Sequence, residues 1–236
     1  MGRHFEVRAA AMAATSAKKS ALYMRASKEI YMAAKSGLPD PESNLALRSA
    51  IEKYKGVGVT KDVVERAIKK AAGGSAEAYN TARYEAFGPG NSYIIVDALT
   101  DNLNRALTEI RTLIVKKGGH MGAVAFNFEE VGLLAFKGAT RDAVEEALIM
   151  NDVDVREVSE DEGSIEALVS PTSLAAAKTV LNEMGIKEFA MAEIVMLPND
   201  KITLEGEDLD RFRQLIDGLD ELQDVQNYFH NVDLQD

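Results

Sequence analysis

Residues 133–196 read LLAFKGATRDAVEEALIMNDVDVREVSEDEGSIEALVSPTSLAAAKTVLNEMGIKEFAMAEIVM, and this stretch decides the fold. Hydrophobic periodicity and turn residues divide it into a strand, a helix, two strands, a helix and a strand: Leu133–Lys137, Arg141–Met150, Val153–Val158, Ser164–Val169, Leu174–Met184 and Lys187–Met196. This β-α-β-β-α-β order is typical of the ferredoxin-like unit. We therefore predict that residues 131–199 form a domain of their own.

The segments on either side of this unit are incomplete when each is taken alone. Before it, the pattern predicts strands at Ala82–Phe87, Tyr93–Leu99 and Val124–Phe128 and a helix at Asp101–Lys117; after it, a helix at Glu207–Leu219 and a strand at Val225–Val232. One helix and one strand cannot bury a core without further elements. The tail is therefore expected to complete the earlier segment, which makes residues 80–130 and 200–236 one discontinuous domain with the ferredoxin-like domain inserted into it.

The first 74 residues are predicted to be helical throughout. Good helix formers dominate the first 35 residues, which are predicted to form one or two helices, and Gly37 with two nearby prolines ends the helical stretch. A second helix starts near Glu42, and Thr60 is a suitable N-cap for a third helix that ends at Gly73. We predict an α+β protein of three domains: an N-terminal three-helix domain, residues 1–74, and two α/β domains.

Charge is distributed unevenly along the chain. The net charge of −11 looks unfavourable for a nucleic-acid partner. Residues 1–72, however, hold 14 Lys and Arg against 7 Asp and Glu, a net +7, whereas the rest carries −18. A basic segment attracts phosphate backbones. Two other interpretations stay open: a solvated helical face, and a basic segment that docks on the acidic part of its own chain.

Several classes of protein are disfavoured by what the sequence lacks. It contains no Cys, and its three His have no metal-binding spacing. Neither a phosphate-binding G-x-x-x-x-G-K-[ST] loop nor a G-x-S-x-G nucleophile motif is present. Gly88-Pro89-Gly90 joins two strands and is interpreted as a hairpin turn instead of a dinucleotide site. We expect no enzymatic activity, catalytic residues, metal or cofactor.

The N-terminus and the hydropathy pattern bear on location. The acid-poor start has features of a mitochondrial transit peptide, but its pattern continues into the next helix and Glu6 interrupts it early. No apolar run approaches the ~18 residues of a membrane span. We expect a cytoplasmic protein without a membrane partner. The oligomeric state is undetermined, with a monomer favoured.

The nucleic-acid contacts are expected on the basic helices, as salt-sensitive contacts to phosphate. The candidates are Arg3, Arg8, Lys18, Lys19, Arg25, Lys28, Arg66, Lys69 and Lys70. Aromatic residues are few in this segment: Phe5, Tyr23, Tyr31 and Tyr54. This composition favours backbone and shape contacts over the stacking of single-stranded bases.

Two polar loops around the helix at Asp101–Lys117 are further candidates. The first turn of this helix contains Asn102, Asn104 and Arg105. They are either capping and solvated residues or a polar contact site. Lys116 and Lys117 lie in its last turn, where cations complement the helix dipole. Alternatively, these lysines and the glycines that follow them allow a phosphate backbone to approach.

The residues also resemble a known family. The motifs are Met1-Gly2-Arg3, Glu29–Lys35, Asp40–Asn44, Val63–Lys70, Arg83–Gly90, Leu99–Arg105, Lys117–Gly119 and Asp224–Asn231. They resemble, over essentially the whole chain, the YebC/PmpR family of probable transcriptional regulators, and most closely its YeeN-like branch. The family is related to the mitochondrial translational activator of cytochrome c oxidase subunit I. The chain departs from the family pattern at Arg3-His4-Phe5 and at His120.

The resemblance implies the same three domains, cytoplasmic nucleic-acid binding and gene regulation. The favoured hypothesis is a DNA-binding transcriptional regulator whose basic helices contact phosphates. The alternative is a translation factor associated with the ribosome, ribosomal RNA or transfer RNA, because part of the family resembles factors that act on stalled ribosomes.

Overall fold

The computed structural model describes residues 16–74 and 77–234, and it confirms the α+β fold. The helices of this part of the chain are α1 Ser16–Lys35, α2 Leu45–Lys55, α3 Lys61–Ala72, α4 Leu103–Lys116, α5 Arg141–Met150, α6 Leu174–Glu183 and α7 Gly206–Glu221. The strands are β1 Asn80–Phe87, β2 Tyr93–Thr100, β3 His120–Met121, β4 Phe128–Lys137, β5 Val155–Asp161, β6 Ser164–Val169, β7 Phe189–Pro198 and β8 Val225–His230. None of these helices is long and apolar enough to span a bilayer.

Two compact units divide the described residues. One is Asn127–Asn199, and the other holds the described residues from 16 to 126 together with those from 200 to 234. The helical segment, α1–α3, therefore belongs to the same compact unit as the discontinuous α/β part.

The helical segment packs around the small and aromatic residues of α1. Ile30, Tyr31 and Leu47 are nearly fully buried in its core. Asn44 is the N-cap of α2, and its side-chain oxygen accepts a hydrogen bond from the Leu47 backbone N–H at 3.0 Å. The same side chain donates to two backbone carbonyls at 2.9 Å each, so it ties the α1–α2 loop to the start of α2.

The first sheet has the strand order β3-β1-β2-β8, with all neighbours antiparallel. The tail strand β8 pairs with β2, which joins the C-terminal residues to the segment before the insertion. Helices α4 and α7 contribute to the core of this sheet through Ile110, Ile114, Phe212 and Leu215. The tail thus supplies one helix and one strand to a core that neither segment could build alone.

The second sheet has the order β5-β6-β4-β7, and all its pairs are antiparallel. This is the strand arrangement that the β-α-β-β-α-β pattern predicts. The helices α5 and α6 bury Leu148 and Leu181 in one core with Leu134 and Phe136 of β4. The inserted unit therefore has a hydrophobic core of its own.

One predicted element is wrong. The expected strand Val124–Phe128 does not form: Ala125–Asn127 is a 3₁₀ turn, and Phe128 is the first residue of β4. The Glu85 carboxylate accepts hydrogen bonds from the backbone N–H groups of Val124 and Ala125, at 2.6 and 2.7 Å. Because a side chain takes these donors, they are not available to a sheet ladder.

Candidate nucleic-acid interface

The nine candidate cations of the helical segment do not share one environment. Arg3 and Arg8 lie outside the described residues. Three cations on α1 contact the chain's own α/β part, and we call them the inward set: Lys18, Arg25 and Lys28. Four others lie exposed, and we call them the outward set: Lys19, Arg66, Lys69 and Lys70.

Lys28 is the most deeply buried member of the inward set. Its side chain is 6% exposed, and its ammonium donates a hydrogen bond to the Asp224 carboxylate. Two further hydrogen bonds from Nζ reach the backbone carbonyls of Leu99 and Gln223, each at 3.1 Å. An ammonium has three donors, and all three are used here. Lys28 is thus committed to the contact between α1 and the α/β part.

Asp224 is the centre of this contact. In addition to Lys28 it accepts hydrogen bonds from Thr100 Oγ1 at 2.9 Å and from Arg105 Nη2 at 2.8 Å. Burial tends to raise the pKa of this carboxyl, but hydrogen bonds from Lys28, Arg105 and Thr100 outweigh burial and hold the pKa below its ordinary value. The carboxylate therefore stays charged and links α1, β2 and α4.

Arg25 and Lys18 extend the contact along the last turns of α7. Arg25 Nη2 donates to the backbone carbonyls of Leu219 and Asp220, at 2.9 and 2.8 Å, where a helix C-terminus favours a cation. Lys18 Nζ lies 2.6 Å from Asp217 Oδ1 and 3.3 Å from Asp220 Oδ2. Burial raises the pKa of Asp220 in spite of these cations. For the inward set, the partner is the chain's own acidic part.

The outward set is concentrated on α3. Arg66, Lys69 and Lys70 are spaced i, i+3 and i+4, so they lie on one face of this helix. Arg66 bonds to Asp62 and Lys70 pairs with Glu77, while Lys69 makes no ion pair within the described part of the chain. Lys19 lies on α1, with its Nζ 5.8 Å from the centroid of the Tyr23 ring. These side chains are accessible to a polyanion.

The polar loop before α4 is used within the protein. Asn102 caps the helix, since its side-chain oxygen accepts from the Arg105 backbone N–H at 3.0 Å. Arg105 bonds to Asp101 at 2.6 Å as well as to Asp224, and these carboxylates raise its pKa. Asn104 is exposed, and its backbone carbonyl accepts from Thr108 at 2.7 Å. Asn102 and Arg105 thus serve as a cap and an ion-pair partner.

The two lysines at the C-terminal end of α4 have different surroundings. Lys117 donates to Gln214 of α7 at 2.7 Å, while Lys116 is exposed. Gly119 is required by close packing, because a Cβ there would lie 2.3 Å from the backbone oxygen of Phe87. The glycine therefore allows the approach of two segments of this chain, which accounts for its presence without a phosphate.

Sequence reasoning did not single out Asp217, Asp220 or Asp224 as partners of the inward cations. A signal was available for Asp224, which opens one of the motifs shared with the family. The two aspartates of α7 carry no comparable signal, because the contact joins residues almost 200 positions apart. The uneven charge along the chain is consistent with docking of the basic segment on the acidic part of the chain, but it does not identify the residues that pair.

Comparisons with known proteins identify the family. The model for the TACO1/YebC protein N-terminal domain matches residues 3–74, and the model for the TACO1/YebC second and third domain matches residues 79–232. The chain belongs to the TACO1/YebC family.

Two relatives of this TACO1/YebC chain match it over nearly its full length. A probable transcriptional regulatory protein of Mesoplasma florum is 52% identical over 235 residues, which cover 98% of this chain and 99% of the relative. The crystal structure of a conserved hypothetical protein from Aquifex aeolicus is 30% identical in sequence and superposes with a TM-score of 0.75. The match covers 94% of this chain and 93% of the Aquifex aeolicus chain. The name of the first relative suggests a regulatory protein of transcription.

The inserted unit of this TACO1/YebC chain carries a shallow concavity of about 540 Å³ between the start of α5 and the edge strand β5. Three of its lining residues are acidic: Asp142, Glu157 and Glu160. Glu160 accepts a hydrogen bond from the Arg141 backbone N–H at 3.0 Å, and so occupies the N-terminus of α5. An acidic lining repels phosphate, so this concavity is unsuited to a polyanion.

Proposed function

We propose that this chain is a regulatory protein that binds nucleic acid, with duplex DNA as the favoured target, through the outward set. The observation that carries the proposal is the exposed α3 face of Arg66, Lys69 and Lys70. The basic balance of the helical segment and the name of the Mesoplasma florum relative support it.

The internal pairing sharpens the proposal. The inward cations neutralise Asp217, Asp220 and Asp224, so they add little to the long-range attraction of a polyanion. The outward cations face solvent, where a polyanion can displace their local carboxylate partners or share them. Phosphate contacts of this kind depend strongly on salt, because binding releases condensed counterions. The accessible α3 face is therefore expected to dominate the contribution of the described residues to binding.

The test compares two triple variants of equal charge. R66Q/K69Q/K70Q removes the α3 cations, and K137Q/R156Q/K187Q removes three exposed cations of the inserted unit as a matched control. Fluorescence anisotropy with a labelled 30-base-pair duplex measures affinity over a series of salt concentrations. The α3 variant should bind at least tenfold more weakly, and its slope of log K against log salt should be smaller by about 0.9 for each lost contact.

Two outcomes would contradict the proposal. Equal binding by the α3 variant and the wild-type protein would remove α3 from the interface. An equal loss in the control variant would show that only total charge matters.

Sedimentation of the native protein through a lysate gradient, with and without ribonuclease, separates DNA from ribosomal targets. Ribonuclease-sensitive migration with ribosomal particles would overturn the preference for DNA and favour a translation factor. Preferential binding of a defined promoter fragment over bulk competitor DNA would support DNA as the target.

A further inference from the structure

A second cationic surface lies on the α/β part of the chain, at the end of α4. It consists of Lys116, Lys117, His120 and Arg211, and we call it the β3 surface. Gly118 turns the chain between the lysines and the histidine with a φ of +89°. A Cβ built at Gly118 would lie 3.7 Å from Arg211 Nη1, which places the guanidinium beside this turn.

His120 brings an exposed aromatic ring to this surface, two residues after Gly118. The imidazole stacks on Phe87, with ring centroids 4.9 Å apart and planes 14° apart. Phe87 is held in turn by the edge of Tyr93, with ring centroids 5.6 Å apart. Strand pairing between β1 and β3 places His120 directly opposite Phe87, so the stack is fixed by the backbone register. His120 itself is exposed.

The charges at the end of α4 favour an anion. Lys116 is exposed and forms no ion pair with a described residue. Lys117 is held by the neutral Gln214 amide, which leaves its charge uncompensated. Glu207 bonds to Arg211 and offsets the charge of that guanidinium. The two lysines therefore supply the excess positive charge of this surface.

We propose that the β3 surface binds single-stranded nucleic acid, with an unpaired base stacked on His120 and the adjoining phosphates near Lys116 and Lys117. Cations that follow a backbone beside a planar ring are the usual elements of a single-strand site. A paired base inside a duplex does not offer its face to a ring on the protein surface. The aromatic residues of the helical segment pack into its core. On the β3 surface, by contrast, the ring of His120 is exposed and the strand register fixes its position on Phe87.

This inference rests on the proposed nucleic-acid function but concerns a different surface and a different form of nucleic acid. The probes are a labelled 15-nucleotide oligo(dT), a labelled oligo(U) of the same length and the labelled duplex. The variants are H120A, H120F, K116Q/K117Q and R66Q/K69Q/K70Q. H120F keeps a flat ring while removing the imidazole nitrogens, so it separates stacking from hydrogen bonding. Circular dichroism and thermal melting confirm that each variant is folded.

H120A should weaken binding of both single strands by about three- to tenfold and leave duplex binding within twofold. H120F should restore at least half of the lost affinity, because a phenyl ring also stacks on bases. K116Q/K117Q should reduce the salt slope for the single strands. If H120A does not fold, the affinities of K116Q/K117Q decide the proposal: single-strand binding should fall more than duplex binding.

The outcomes separate this proposal from the preceding one. Loss of duplex binding in the α3 variant, with single-strand binding unchanged by H120A and K116Q/K117Q, would overturn the β3 surface and leave the proposed function standing. An H120F variant as weak as H120A would also overturn the stacking role. Absence of binding to every probe by the wild-type protein would overturn both proposals.

Discussion

The ammonium of Lys28 and the carboxylate of Asp224 form a buried ion pair between residues 196 positions apart in the chain. The two side chains are only 6% and 5% exposed. A charge so far removed from water is tolerated because every donor of Lys28 is used and because Asp224 also binds Thr100 and Arg105. The pair therefore fixes where α1 lies on the α/β part of its unit.

Loss of one partner of this pair should be costly. We expect Lys28→Met to lower the free energy of unfolding by about 3–5 kcal/mol, because it leaves the Asp224 carboxylate buried without its main counterion. Urea denaturation followed by circular dichroism measures the change. Lys61→Met is the matched control, since the Lys61–Glu65 pair is exposed, and it should cost less than about 1 kcal/mol. Equal effects of the two substitutions would show that the buried pair has no special role.

Helix capping provides a second matched comparison. Asn44 caps α2 and also donates to one carbonyl of α1 and one of the α1–α2 loop, whereas Thr60 precedes α3 without a side-chain capping bond. Asn44→Ala should therefore lower the free energy of unfolding by about 2–3 kcal/mol, because the cap and two further hydrogen bonds are lost. Thr60→Ala should change it by less than about 0.5 kcal/mol. Chemical denaturation tests both, and a reversed order would contradict the assigned caps.

The two caps show how far the sequence predicts the structure. Thr60 does precede a helix, as its residue type predicts, but residue preference alone does not reveal whether a side chain forms the capping bond. The ferredoxin-like order was predictable because its strands and helices are local patterns with clear turns. The contact of Lys28 with Asp224 was not, since it depends on how α1 packs against distant residues. The error at Val124–Phe128 has the same origin, because Glu85 of β1 takes the backbone donors.

Close backbone packing gives a third prediction. In Gly119→Ala the new methyl group would lie 2.3 Å from the Phe87 carbonyl oxygen, so β1 and the α4–β3 loop must separate. We expect a loss of about 1–3 kcal/mol in the free energy of unfolding. Gly56→Ala is the control: its φ is −67° and no atom lies within 4 Å of the added Cβ. It should stabilise the protein by about 0.4–1 kcal/mol through the unfolded state. A neutral Gly119→Ala would contradict the close approach.

A half-buried histidine, His230, gives the protein a specific sensitivity to acid. The pKa of His230 is lowered to about 4, chiefly by burial; a hydrogen bond with the Val232 backbone raises it and the charge of Lys201 lowers it. In the unfolded chain the imidazole takes up a proton near pH 6.5, its ordinary pKa. Between pH 6.5 and 4 the unfolded state therefore binds more protons than the folded state. The stability that depends on a neutral His230 is complete above pH 6.5 and is lost as the pH falls toward 4.

The difference in stability between the wild-type protein and His230→Gln isolates the contribution of His230. The carboxylates titrate in both proteins and cancel in the difference. From pH 7 to pH 4 the wild-type protein should lose on the order of 2 kcal/mol more of its free energy of unfolding than the variant does. Urea denaturation at half-unit steps of pH measures both curves. Parallel curves for wild type and His230→Gln over this range would show that His230 titrates alike in the folded and unfolded chains, and the assigned burial effect would be wrong.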